Sequence, residues 1–224
     1  MSARLVIFDV DGTLIDSQAH IMSGVTSAFG ALGLAMPARE EIRQGIGLSL
    51  PQFFWRLVPD STPQTREKLV EAYKDSFVSL RQSDGADALS PLFPGVADLL
   101  TDLTEAPDVT LGVATGKSRR GLRHVLALHG LEGTFASEQV ADDHPSKPHP
   151  SMILQALAET DHTAEQAVMV GDTSYDIEMA QAAGVASIGV SWGYHSAEVL
   201  AAAGAGQIVE TVRDLHAALG MAEQ

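Results

Sequence analysis

Apolar residues along the chain fall into short, nearly unbroken runs separated by longer stretches at helical spacing. Leu5-Val6-Ile7-Phe8, Val109 to Ala114 and Ala167 to Val170 are such runs, each followed closely by turn or acidic residues, as in strands buried on both faces of a parallel sheet. Between them apolar positions recur with a period near 3.6, as in Val96 to Leu103, in Met152 to Glu159, and at Ile177, Met179, Ala180 and Ala183. Residues 16–84 break this alternation. Ala19 to Leu32, Glu40 to Gln44, Leu50 to Leu57 and Pro63 to Leu80 all read as helices, the last with Leu69, Ala72, Tyr73, Ser76 and Phe77 on one face. The pattern predicts an α/β core built from 1–15 and 85–224, with 16–84 as a helical cap and hinges near 15–19 and 83–91.

Charge divides the chain at the same places. The helical stretch carries a net −1 and the remainder −14, for a total of −15. An acidic chain with pI near 4.7 is repelled by nucleic acid and anionic membrane, so neither is expected as a partner. The 45% hydrophobic content is ample for a buried core. The absence of cysteine excludes disulfides, thiolate metal sites and a cysteine nucleophile, and suits the cytoplasm. Met1-Ser2-Ala3-Arg4 leads straight into the first strand, so neither a signal peptide nor a membrane span is expected.

Candidate chemistry collects at strand ends, where open α/β sheets bind ligands. Asp9 and Asp11 follow the first apolar run, and two carboxylates this close favour a shared hard cation such as Mg²⁺; an Asp-rich surface turn is the plain alternative. Gly12-Thr13 lets the chain turn away without bulk over the site. Thr115-Gly116-Lys117 ends the second run with a hydroxyl and a glycine that exposes backbone N–H groups to an anion. Lys147 stands among loop-forming residues just before a helix, where its ammonium can neutralise carboxylate and phosphate. Asp172 and Asp176 follow the third run and complete an acidic cluster.

Taken in order, Asp9-Val10-Asp11-Gly12-Thr13, Thr115-Gly116, Lys147-Pro148 and Gly171-Asp172-Thr173-Ser174-Tyr175-Asp176 resemble the four motifs of the haloacid dehalogenase superfamily of phosphohydrolases. The resemblance implies a Rossmann-like doubly wound parallel sheet with an inserted α-helical cap. It implies that Asp9 is the nucleophile, Asp11 the general acid and base, and Thr115 and Lys147 catalytic partners. Mg²⁺ would be held by Asp172, the Asp9 side chain and the Asp11 backbone carbonyl, with Asp176 supporting them. Gly12, Thr13, Gly116, Lys117 and the cap cation Arg43 would meet the substrate. Asp11 argues for phosphoryl transfer over carbon–halogen cleavage, which needs no acid there.

Within the superfamily the chain looks most like phosphoglycolate phosphatases, through Gln44 to Leu50, which resembles a cap substrate loop, and through Val190 to His195. A small phosphorylated metabolite is then the expected partner, and a monomer or homodimer the expected state. A β-phosphoglucomutase-like mutase and a pyrophosphatase share the core motifs, and Thr13 favours hydrolysis over the mutase. A catalytically silent scaffold is the alternative of another class. Other eye-catching residues read as structural: Phe53, Phe54 and Trp55 as cap core, Arg119, Arg120 and Arg123 as a solvated helix face, and most of the histidines as surface or capping groups, with His20 near the hinge the one to watch.

Overall fold

The computed structural model describes residues 4–80 and 90–220 of the chain. The apolar runs form a six-stranded parallel sheet from β1 (Arg4–Phe8), β2 (Val109–Thr115), β3 (Ser137–Val140), β4 (Ala167–Gly171), β5 (Ala186–Val190) and β6 (Gln207–Val209), in the order β3-β2-β1-β4-β5-β6. β1 is central, with Phe8 opposite Val113 of β2 on one side and Val170 of β4 on the other. The strand order reverses direction at β1. Ligands bind beyond the carboxyl ends of such a sheet at that reversal, which is where Asp9 follows Phe8.

Alternation along β1 fills both layers. Leu5 and Ile7 pack with residues of α7 (Ser151–Thr160) and α8 (Ser174–Ala182), whereas Val6 and Phe8 pack with α5 (Val96–Glu105), α6 (Arg119–Leu128) and α10 (Val212–Ala218). α9 (Ala197–Ala202) places Leu200 over Gly189 of β5.

Four helices intervene between β1 and α5: α1 (Gln18–Ala31), α2 (Arg39–Gly45), α3 (Leu50–Leu57) and α4 (Pro63–Leu80). They agree with the periodicity to within a residue or two and enclose a separate apolar cluster that includes Val25, Phe29, Ile42, Phe54 and Leu69. Each such side chain fully buried is worth about 1.5–3 kcal/mol. Phe54 meets Phe53 and Tyr73 edge to face, with ring centroids 5.3 and 5.7 Å apart. Trp55 corrects an expectation. It is 54% exposed, because the helical turn that directs Phe53 and Phe54 inward turns the next residue out.

Where the chain leaves the sheet, Asp16 N donates to Pro91 O at 2.9 Å and Phe93 N to Leu14 O at 3.0 Å, so the outgoing and returning segments run side by side. Of the second expected hinge, only residues 90 and 91 fall among the described ones. No helix among the described residues is long and apolar enough to cross a membrane.

Candidate active site

Asp9 leaves the end of β1 into the space between β2 and β4, and it is fully buried. Its Oδ1 accepts from Lys147 Nζ at 2.7 Å, while Oδ2 has no hydrogen-bond partner. Lys147 is buried too and also reaches Asp176 Oδ1 at 2.6 Å. Burial by itself would lower the lysine pKa, but Asp176 and Asp9 outweigh it and push it up, so the ammonium stays charged. The other oxygen of Asp176 accepts from Thr173 N at 3.1 Å and Thr173 Oγ1 at 2.7 Å, closing the first turn of α8. Both oxygens of Asp176 are thus engaged in orienting the site.

Asp172 follows β4. Thr13 Oγ1 donates to its Oδ1 at 3.0 Å, and Tyr194 N to its Oδ2 at 2.8 Å. Glycines Gly12 and Gly193 flank it, and a Cβ on either would fall inside the carboxylate's van der Waals envelope. Gly12 also has a φ of +90°, which glycine adopts without strain. Burial and the neighbouring Asp9 and Asp176 hold Asp172 well above the usual carboxylate range. Burial likewise pushes Asp9 up to about 7, against the opposing pull of Lys147. Asp9, Asp172 and Asp176 each offer an oxygen within 4.8 Å of the others, so three buried carboxylates share one small volume. Counting Asp11, four carboxylates face two ammonium groups, Lys147 and Lys117. The two uncompensated charges match one divalent cation, and the all-oxygen donor set suits a hard one.

Asp11 points the other way. Its Oδ1 accepts from Lys117 Nζ at 2.6 Å and from Ser17 Oγ, and Ser17 in turn meets Tyr194 Oη. Thr115 is fully buried, and its oxygen accepts from Lys117 N at 3.2 Å, which leaves the hydroxyl proton to donate elsewhere. Trp192 Nε1 donates to Thr13 O at 3.1 Å and anchors the segment that carries Gly193 and Tyr194.

The loop between α2 and α3 lies on this arrangement. Gly47 and Leu48 carbonyls crowd Gly116 so closely that a Cβ on Gly116 would clash with them. Ser49 N donates to Ser146 Oγ at 2.9 Å and Tyr175 Oη to Gln44 O at 2.8 Å. His195 accepts from Ser174 N on Nδ1 at 3.0 Å and faces Gln44 O with Nε2 at 3.4 Å; burial lowers its pKa. Between the loop, α1, α4 and the start of α6 lies a cavity of about 310 Å³ that opens onto Asp11, Gly116 and Lys117.

The structure therefore brings together Asp9, Asp11, Thr115, Gly116, Lys117, Lys147, Asp172 and Asp176. Three residues expected to meet the substrate make contacts of their own. Thr13 and Gly12 face Asp172, the hydroxyl as its donor and the glycine as the gap it fills. Arg43 lies outside the cavity lining, because its Nη2 turns to the Gly193 carbonyl at 3.2 Å. Ser17, Tyr73 and Lys74 border the site without having been singled out for it, and Tyr73 could be read only as a core position of α4. Arg120, one of three arginines after the second motif that could reach a substrate but read first as a solvated helix face, borders the cavity as well. His20 stacks on Phe77 and reaches Ser90 Oγ at 3.1 Å, at the edge of the helical segment.

The family model for haloacid dehalogenase-like hydrolases matches residues 6–190, which contain every one of these groups except Trp192, Gly193, Tyr194 and His195. A probable phosphatase of Dickeya dadantii, IndB, is 37% identical over 94% of this chain and 91% of its own length. A phosphoglycolate phosphatase of Vibrio cholerae is 31% identical over 89% of each chain. The solved structure of a predicted phosphatase from Clostridium acetobutylicum superposes with a TM-score of 0.86 at 26% identity, covering 98% of this chain and 99% of that one. By its matched length, its motif order and the carboxylate cluster at the end of its central strand, the chain belongs to the haloacid dehalogenase-like hydrolase family.

Proposed function

We propose that the protein is a Mg²⁺-dependent phosphatase that hydrolyses small phosphomonoesters through a phosphorylated Asp9. The observation that carries this reading is Asp9 itself, buried against Lys147 with one oxygen left without a partner. That oxygen has lone pairs to offer an electrophile. Attack of the Asp9 carboxylate on phosphorus forms an acyl phosphate as the ester P–O bond breaks, and Asp11 gives its proton to the departing alcohol oxygen. Asp11 then takes a proton from the water that attacks the acyl phosphate. Inorganic phosphate leaves and the Asp9 carboxylate is restored.

The remaining groups handle charge. Lys147 and the Thr115 hydroxyl, with the backbone N–H groups after Thr115, are arranged to hold phosphoryl oxygens as their charge redistributes. Lys117, now paired to Asp11, is offered a second anion when a phosphate arrives, which frees Asp11 to carry a proton. Asp9, Asp172 and the Asp11 carbonyl would hold Mg²⁺, which supplies Lewis-acid neutralisation of the transferring group. In this reading residues 16–84 are a cap that excludes water from the acyl phosphate, and 1–15 with 85–224 form the core. Phosphoglycolate is the first substrate to test, since phosphoglycolate phosphatases are among the relatives. The acidic, cysteine-free composition supports a cytoplasmic setting.

The test is phosphate release from p-nitrophenyl phosphate and phosphoglycolate, with Mg²⁺ and with a chelator in its place. Turnover should require the cation, and Asp9→Asn should reduce it to background while the melting curve stays cooperative. Undiminished turnover by Asp9→Asn would remove the nucleophile from the scheme.

A further inference from the structure

The cavity beside Asp11 is walled mainly by carbon, and its lining bears on which ester is admitted. Its volume, about 310 Å³, lies within the range of about 300–1,000 Å³ of pockets that hold drug-sized ligands. Ile21, Tyr73 and Phe77 from α1 and α4, with Ile46, Leu50 and Phe53 around the start of α3, form the wall facing the catalytic end. Three cations, Lys74, Lys117 and Arg120, also border the cavity, and the first two are already paired with acids. Lys117 holds Asp11 at 2.6 Å, and Arg43 is turned to the Gly193 carbonyl. Lys74 pairs with Glu71 at 3.3 Å where both side chains are more than half exposed, and Arg120 sits on the exposed start of α6. A two-carbon acid would leave the apolar wall hydrated. An apolar body would displace that water.

Resting on the phosphatase reading above, we infer that the leaving group of the substrate is an alcohol with an apolar body of about aromatic-ring size, seated against Ile46, Phe53, Tyr73 and Phe77. The reaction is unchanged; the selectivity lies in what the departing oxygen is attached to. The P–O bond transferred to Asp9 is the same in every ester, so the wall acts by binding energy held into the transition state.

Ethyl phosphate and 2-phenylethyl phosphate release alkoxides of similar basicity, so their rates separate pocket contacts from leaving-group chemistry. The expected result is a kcat/KM at least about tenfold higher for the phenylethyl ester, because removing even one carbon from a filled apolar pocket costs about that factor. Leu48→Asn places a polar group in the half-buried lining and should lower the phenylethyl-to-ethyl ratio by about tenfold. Both rates come from one preparation, so the ratio does not depend on how much of the variant is folded. A ratio near one, or faster turnover of phosphoglycolate than of the phenylethyl ester, overturns the inference and leaves the phosphatase reading standing. Failure to hydrolyse any of the three esters overturns both.

Discussion

Asp172 keeps its place through what its neighbours lack. Gly12 and Gly193 approach it from two sides with only backbone, and the Tyr194 N–H and the Thr13 hydroxyl fix its two oxygens. Gly193→Ala should therefore act on the carboxylate without touching any charge. Displacing such a support typically costs about 10–100-fold in metal affinity. The expected outcome is a rise of that size in the Mg²⁺ concentration that half-saturates turnover, with a melting temperature close to that of the parent. An unchanged Mg²⁺ requirement would show that Asp172 tolerates the added methyl group, and with it that the wedge is not what positions the carboxylate.

At the scale of elements, the loop from Gly45 to Ser49 touches three of the four motif segments, at Gly116, Ser146 and Thr173. Gly116→Ala would push its carbonyls away from the site while leaving every acidic and basic group in place. A displacement of about 1 Å near a reacting group costs about 10²-fold, and kcat/KM should fall by at least that factor with circular dichroism unchanged. Near-parental kinetics would show that the loop is free to stand off during turnover. β1, β2, β4 and the four helices α1 to α4 were legible in the sequence because burial on two faces or on one stripe leaves a periodic trace. β3, Ser-Glu-Gln-Val, was not, since three of its four residues are polar and it gains its place by pairing Gly112 with Ser137. The acidic cluster was legible as spacing along the chain. The direction taken by Arg43 was not, because it depends on a carbonyl 150 residues away.

For the molecule as a whole, the acidic site makes folding and cation binding interdependent. Asp9 is pushed from an ordinary 3.8 up to about 7, chiefly by burial, and Asp172 is raised for the same reason. The folded state then holds protons more tightly than the unfolded chain, so the contribution of these groups is complete below the ordinary carboxylate range and is lost as pH rises through about 7. His195, with its pKa lowered, works in the opposite sense up to its ordinary 6.5, so the carboxylates are best read above that value. Without divalent cation the melting temperature should fall between pH 6.5 and 8, at about 2–4 °C for each kcal/mol lost. Saturating Mg²⁺ should abolish the fall, and a cation-free melt that stays flat over this interval would contradict the burial of three charged carboxylates together. The central position of β1 has a further bearing, on the order in which the protein is made. Its register couples Arg4 to Val109 and Leu5 to Ala167, so β1 has no partner in the sheet until synthesis has passed residue 109 and lacks its second until it has passed residue 167. The apolar cluster of the helical segment, drawn from residues 21–77 apart from Tyr194, is made before then. The nascent chain therefore carries an apolar strand unpaired through that interval, followed by Asp9 and Asp11, whose charge favours keeping that strand in water until its partners arrive.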